Sequence, residues 1–352
     1  MKYPRMTIDL KKYKHNLVRM KKHLEANDLD MMVVSKVFRA DPRLMKVIND
    51  VKVPYVADSR IENLQGMQTD AEKVLLRLPS IHELSEVVRH ADISLNSELA
   101  TIHGLNEASK NQGVVHKVIF MVDIGDLREG AYHTEPISDY AKEIESLSHI
   151  KLYGIGTNVT CHGGVLPTKS TIQKLDKVVR SVQSVIGRPL KMISGGNSSQ
   201  LAFLDAAPKG TMTNLRIGEA LALGRETSYG TTLEGFYDDV FVLEADIVEA
   251  KVKPSYPEGE TGMDAFGKKP VFKDKGTRKR AILAIGKQDV DHNELMPFDE
   301  SVTLIGSSSD HIIADITDSM TDYTVGDTLR FKLKYGSLLS LMTSPYVVKA
   351  YV

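Results

Sequence analysis

Lys36 closes the run Met31-Met32-Val33-Val34-Ser35 and is the only charge in it. Desolvation at the end of a buried strand disfavours the ammonium form and leaves a neutral amine, a nucleophile towards an aldehyde. The plainer alternative is a strand-end lysine whose head reaches water. Far along the chain, Ser194-Gly195-Gly196-Asn197-Ser198-Ser199 combines two glycines, which let backbone approach a phosphate, with Asn197 or Ser198 able to cap a following helix. Leu215-Arg216-Ile217-Gly218-Glu219 adds backbone N–H groups around Gly218 that complete such a cradle. Either segment alone reads as an ordinary turn. Joined to an amine, they describe a site for an aldehyde that carries a phosphate, which is the chemistry of pyridoxal 5'-phosphate (PLP). Arg216 has a further task there, because a guanidinium does not give up a proton at working pH. Donating to the pyridine nitrogen, it would keep that nitrogen unprotonated and weaken electron withdrawal by the ring. That suits a reaction in which a proton leaves Cα and returns, and it discourages transamination. A salt bridge to a neighbouring acid is the alternative for Arg216.

Elements that could position these residues are visible in the hydrophobic pattern. Eight strand candidates, 31–36, 53–58, 73–78, 93–97, 117–124, 152–159, 190–195 and 214–220, alternate with helix-period segments. In 171–186 the apolar residues Ile172, Leu175, Val178, Val179, Val182, Val185 and Ile186 recur at spacings of three and four, and Gly187 with Pro189 marks the end. Eight β/α units in this length predict a (β/α)8 TIM barrel, with catalytic groups at strand ends and phosphate held by the loops after strands seven and eight. The Gly195-Gly196 segment follows strand seven, Arg216 lies on strand eight, and Lys36 stands next door on strand one. Beyond about Thr231, the segments 240–253, 280–285, 301–305, 311–316, 328–333 and 346–352 read as strands with few helices, an all-β C-terminal domain. The expected division is a strand within 1–11 that joins the β domain, a PLP-binding barrel over 12–232 and the β domain over 233–352. The Pro-, Gly- and Lys-rich stretch 253–276 is a loop expected to be mobile or to cover something.

Composition excludes several other functions. Forty-five basic and 46 acidic residues among 352 give a net charge of -1, too balanced to attract nucleic acid or an anionic membrane. Cys161 is the only cysteine, so no intramolecular disulfide and no thiolate zinc cluster can form. Cys161-His162 follows strand six, and it is read as a buried cysteine beside a solvated histidine. Eleven histidines include no metal-spaced pair, and Gly154 and Gly156 do not extend to a dinucleotide fingerprint. No run approaches the roughly 18 apolar residues of a membrane span, and the first residues show no apolar leader. A cytoplasmic protein with a small-molecule substrate is expected.

The chain resembles the fold-type III PLP enzymes, and most closely the alanine/ornithine racemase family, across nearly all its length. The resemblance begins at Thr7-Ile8-Asp9-Leu10 with Asn16 and continues through Val33-Val34-Ser35-Lys36, the position of the family's cofactor-linking lysine. In Asp123-Ile124-Gly125-Asp126-Leu127-Arg128-Glu129-Gly130, Arg128 matches an arginine near the cofactor O3′ and the substrate carboxylate. Asn197-Ser198 matches a phosphate-binding pair, and Arg216-Ile217-Gly218, followed by Glu219, matches a pyridine-contacting Arg-x-Gly. The resemblance implies a barrel with a C-terminal β domain, bound PLP, and a site shared across a head-to-tail homodimer.

Departures from the family shape the chemistry expected. The family's β-domain segment with a tyrosine acid/base reads Gly286-Lys287-Gln288-Asp289-Val290-Asp291 here, without a tyrosine. Asn158 replaces the histidine that stacks on the pyridine ring, Ser309-Asp310 replaces a Met-Asp pair, and Ser344 stands where a phosphate-binding tyrosine is usual. Racemisation removes a proton from one face of Cα and delivers it to the other, so a second donor is expected opposite Lys36. Lys287 is the position-matched candidate, with Asp310 and His311 as rivals; a Lys287–Asp289 surface pair is the alternative. Loss of the tyrosine opens space, and Asp289, Asp291 and Asp310 add negative charge, which suits a basic amino acid such as ornithine or lysine better than alanine. Alanine racemase is one alternative. Another is a noncatalytic PLP carrier, which 53–63 resembles, although such carriers lack a β domain. A fold-type III decarboxylase, aldolase or dehydratase is a third alternative, of which the position of Cys161 in the barrel disfavours the decarboxylase and the dehydratase.

Overall fold

Short apolar runs pair side by side to build two separate sheets in the computed structural model, which describes residues 2–206, 210–264 and 266–352. Strand β1 (Arg5–Ile8) is followed by β2 (Asp30–Val34), β3 (Tyr55–Asp58), β4 (Glu72–Leu75), β5 (Ile93–Asn96) and β6 (His116–Asp123). A two-residue strand, β7 (Ala131–Tyr132), precedes β8 (Ile150–Gly156), β9 (Met192–Ser194) and β10 (Asn214–Ile217). The parallel ladder runs β2-β3-β4-β5-β6-β8-β9-β10 and returns to β2, where Leu215 pairs with Met31 and Ile217 with Val33, so the sheet is a closed eight-stranded barrel. All eight expected strands are present. All but β3, which reaches Asp58 as expected, end earlier than their apolar runs, because the last residues of those runs turn outward into the loops at the carboxyl rim.

The barrel interior is filled by side chains including Met32, Val34, Tyr55, Ala57, Val74, Ile93, Leu95, Ile119, Met121 and Met192. Strands covered on both faces need no polar side, which explains the unbroken apolar runs. Gly154 on β8 is required by packing: a Cβ there would lie 2.1 Å from the Met192 carbonyl oxygen. The helix Lys169–Ile186 buries Ile172, Leu175, Val178, Val179 and Val182, begins at a Thr168 cap and ends at Gly187 in the left-handed region, while Val185 stays exposed.

The second unit is antiparallel except for the pairing of its first and last strands. Its strands are β11 (Phe241–Pro254), β12 (Thr277–Leu283), β13 (Leu295–Pro297), β14 (Thr303–Ser307), β15 (Ile312–Asp315), β16 (Thr328–Leu333) and β17 (Val348–Tyr351). They are ordered β13-β16-β11-β12-β15-β14, and β1 joins by pairing with β11 and β17. The chain thus divides into residues 12–237 and residues 1–11 with 238–352. The division falls after Tyr237 rather than after Thr232, because the Asn16 side chain bonds both the N–H and the carbonyl of Tyr237 (2.9 and 2.8 Å) and ties it to the barrel unit. Strand β13 and the helix Tyr335–Thr343 carry no sequence signal that separates them from loop and strand. Among the described residues, no helix is long and apolar enough to cross a membrane.

One buried group makes the barrel sensitive to acid. His116, at the start of β6, lies 2.8 Å from Ser94 Oγ through Nε2, and burial, with the nearby charge of Lys117, pushes its pKa down to about 4. The folded value lies below the free imidazole's, roughly 6.5, so the neutral ring's contribution is intact above that pH and disappears as the pH falls towards 4. The expected loss, up to roughly 3 kcal/mol, is read from urea unfolding across this window. His116→Gln should flatten that part of the profile relative to the parent protein.

Candidate active site

Lys36 does not extend β2. The strand ends at Val34, Ser35 continues the ladder through its N–H to the Ala57 carbonyl (2.8 Å), and Lys36 opens a single 3-10 turn, Lys36–Phe38. The turn starts here because Ser35 Oγ is held by Asp58 Oδ2 at 2.7 Å across the neighbouring strand end. Asp58 is raised by burial, against which the hydrogen bonds from Ser35, Asn63 and the Arg60 N–H act. The Lys36 side chain is half-buried at the carboxyl rim, not enclosed as a strand position would make it. Gly218 lies close by, since a Cβ on it would come within 3.1 Å of Val34 Cβ. Glu219 is close as well: burial raises its carboxyl, and the charges of Arg225 and then Lys36 oppose the rise. Glu219 itself is held by Arg225, Nη2 to Oε1 at 2.8 Å.

Arg216 is a buried cation at this rim, with 4% of its surface exposed. Its Nη1 donates to Ser194 Oγ at 2.5 Å, and its Nη2 donates to the Thr157 carbonyl at 2.6 Å and to Asn158 Oδ1 at 2.5 Å. Burial pushes its pKa down to about 10, with Glu129 and Cys161 opposing that and Arg128 adding to it, so the guanidinium remains charged at neutral pH. Asn158 in turn donates through Nδ2 to Glu129 Oε1, and Glu129 Oε2 lies 2.9 Å from Arg128 Nε. A polar chain therefore runs Ser194, Arg216, Asn158, Glu129, Arg128 across the carboxyl ends of four strands, β9, β10, β8 and β6. Asn158 contributes through its amide edge to this chain. Arg128, at the outer end, is half exposed.

The loops that carry these groups are pinned from below. Asp123 Oδ1 accepts from the Gly125 N–H at 2.7 Å, and Asp126 accepts from the N–H groups of Thr160, Cys161, His162 and Val165 at 2.9–3.1 Å. Gly130 is a glycine of necessity, with φ of +122° and backbone atoms 2.6 Å from where a Cβ would be. In the loop after β9, Gly196 has φ of +129°, and Asn197 Oδ1 accepts from the Ser199 N–H at 2.8 Å. Asn197 Nδ2 donates to the Val159 carbonyl (3.2 Å) and to Cys161 Sγ (3.1 Å), and Ser198 Oγ accepts from the Ala220 N–H (3.3 Å). Cys161 is exposed, contrary to the buried thiol expected, because Asp126 draws its backbone into the loop and leaves the side chain outside.

Lys36, Arg128, Asn158, Asn197, Ser198, Arg216, Gly218 and Glu219 all belong to the barrel unit, whereas Lys287 and Asp310 belong to the β unit. Within that unit the last two lie on touching loops: the Lys287 N–H donates to the Ser308 carbonyl at 2.9 Å, and Gly286 packs on the Ser309–Asp310 backbone. The Lys287 ammonium sits 3.9 Å from the ring centroid of Phe266, from the 253–276 stretch, rather than pairing with Asp289. Asp289 accepts from Ser344 Oγ at 2.5 Å, Asp291 accepts from the Asn293 N–H at 3.0 Å, and Asp310 is exposed with Ser309 Oγ 2.8 Å away. Among the described residues, no group of three His, Cys, Asp or Glu side chains could hold a metal ion.

Comparison with known proteins gives the family. The family model described as "Alanine racemase, N-terminal domain" matches residues 8–226, from β1 through the loop after β10. The chain belongs to the alanine racemase family. Over 350 residues, 99% of each chain, it is 46% identical to the ornithine racemase of Acetoanaerobium sticklandii. Identity to the lysine racemase of Thermotoga maritima is 36% over 356 residues, covering 100% of this chain and 99% of that one. The alanine racemase of Bartonella henselae, solved with covalently bound pyridoxal phosphate, superposes with a TM-score of 0.75 over 99% of each chain at 15% identity, which shows the shared fold.

Three residues of this member of the alanine racemase family carry no sequence signal for their roles. Glu129 and Asp126 sit beside a recognisable arginine but meet their partners only across 29 and 34 to 39 residues of chain. Glu226 accepts from the N–H groups of Ser228, Tyr229 and Thr231 and shapes the end of the barrel unit. Asp126→Ala strips four backbone donors of a buried acceptor and is expected to cost about 2–4 kcal/mol in chemical denaturation. The same substitution should render the 157–165 loop sensitive to limited proteolysis.

Proposed function

We propose that this protein is a PLP-dependent racemase of a basic amino acid, with ornithine as substrate ahead of lysine. The observation that carries the reading is one amine, Lys36, at the barrel rim beside Gly218 and a fully buried guanidinium, in a chain close to an ornithine racemase and a lysine racemase. The residues present fit PLP. Gly195 leaves no room for a Cβ, which would strike Met212, and Gly218 packs tightly on Val34, so backbone rather than side chain lines the rim where a phosphate would rest. Asn197, Ser198, Gly218 and the turn into Glu219 would hold that phosphate, Arg216 would face the ring nitrogen, Arg128 and Asn158 would flank the ring, and Lys36 would hold the aldehyde carbon. When bound, the cofactor supplies an electron sink for the pair left at Cα.

The chain's own groups handle the proton. The Lys36 amine removes or returns it on one face of Cα, and a donor on the opposite face completes inversion. Lys287 and Asp310 are the two candidates, and a homodimer with shared sites would deliver them from the partner. Arg128 suits the substrate carboxylate. Asp289, Asp291 and Asp310 concentrate negative charge on the loop pair that carries Lys287, which favours a cationic substrate side chain. The single cysteine, which leaves no intramolecular disulfide to form, suits a reducing, cytoplasmic location.

Turnover of L-ornithine, L-lysine and L-alanine, each followed by loss of optical rotation, tests the substrate; a preference for alanine removes the proposal. Lys36→Ala should lower turnover by roughly 10^3-fold or more. In heavy water, loss of the opposite-face donor should leave Cα deuterium exchange while suppressing inversion. Of Lys287→Ala and Asp310→Asn, the variant with that split identifies the donor.

A further inference from the structure

The Asn158 amide is caught between two groups of opposite hydrogen-bonding character. A guanidinium has only donors and a carboxylate only acceptors. Asn158 Oδ1 faces Arg216 Nη2 at 2.5 Å, and its Nδ2 faces Glu129 Oε1. Turning the amide over would set its NH2 against the guanidinium and its carbonyl against the carboxylate, so Glu129 selects the orientation that accepts from Arg216. Glu129 is itself fixed, because Arg128 Nε holds the other oxygen at 2.9 Å and only 13% of its side chain is exposed. An ordinary surface ion pair would leave the carboxylate solvated and would not reach a buried amide. Charge points the same way: Arg128 and Arg216 are two cations, and Glu129 is the acid that stands between them.

We propose that Glu129 is a positioning residue, which acts through the Asn158 amide to hold the Arg216 guanidinium in place at the cofactor site. The inference rests on the PLP reading above and assigns a role to an acid that touches neither the cofactor lysine nor the phosphate loop. Its physical basis is the cost of leaving a buried charge with one acceptor missing. Glutamine at 129 can still present a carbonyl to Asn158, whereas alanine or leucine cannot.

The test uses the Lys36→Ala protein, in which PLP binds without a covalent link and its affinity reports the pocket, measured by absorbance titration. Added Glu129→Ala should weaken PLP binding on the order of tenfold, the loss of one charge-assisted hydrogen bond, and shift the bound cofactor's absorbance maximum. Glu129→Gln should restore most of the affinity, and Glu129→Leu carries the alanine expectation should the alanine variant not fold. In a Asn158→Ala background, Glu129→Ala should add nothing further. Parent-like affinity and spectrum in the alanine and leucine variants, or additive losses with Asn158→Ala, would overturn the inference while leaving the racemase reading intact. Failure of the Lys36→Ala parent to bind PLP, with no racemisation by the unaltered protein, overturns that reading and this one with it.

Discussion

A guanidinium that cannot lose its proton, buried at the end of the last barrel strand, sets the terms for everything around it. Arg216 must find acceptors inside the protein, because an unpaired buried charge costs several kcal/mol. It finds Ser194 on β9, the Thr157 carbonyl and the Asn158 amide after β8. Those acceptors come from the ends of β8 and β9, the strands laid beside β10 in the parallel ladder. The charge therefore depends on the barrel for its partners, and the rim of the barrel is organised by the charge.

The supporting layer follows the same logic. Asn158 accepts from Arg216 only while Glu129 occupies its other end, and the loop that carries Asn158 holds its course because four N–H groups converge on Asp126. Glycines appear where backbone must come close: Gly130 against Val122 and Asp123, Gly154 against Met192, Gly218 against Val34. The rim is built mainly of backbone, amide and hydroxyl groups, with Lys36 and Glu219 as the charged pair at the β2–β10 seam. Such a surface can take a phosphorylated aromatic ring without displacing large side chains.

The β unit has its own device. Lys287 and Asp310 ride on loops joined by backbone hydrogen bonds, while Phe266 lies against the Lys287 ammonium. The face of a phenyl ring attracts a cation without neutralising it by proton transfer. Of the acids near Lys287, Asp289 also accepts from Ser344 and Asp291 caps the turn at Asn293.

The alternation of strand and helix, the lysine at the first rim position, the glycine-rich turn before Asn197-Ser198 and the Arg-x-Gly at 216–218 were legible from the chain, because each is a local pattern of a few adjacent residues. Their boundaries were less so. The run ending at Lys36 reads as strand throughout, yet Ser35 bonds across to Asp58, 23 residues away, and the chain turns there. A three-residue β13 and a short apolar helix at Tyr335–Thr343 are too brief to show a period. Residue types and their spacing thus determined the reagents and the barrel that carries them. Only the folded barrel decided which amide meets which charge, that Cys161 faces outward and that Glu129 joins the polar chain at the rim, because those contacts join positions tens of residues apart and no local pattern encodes them.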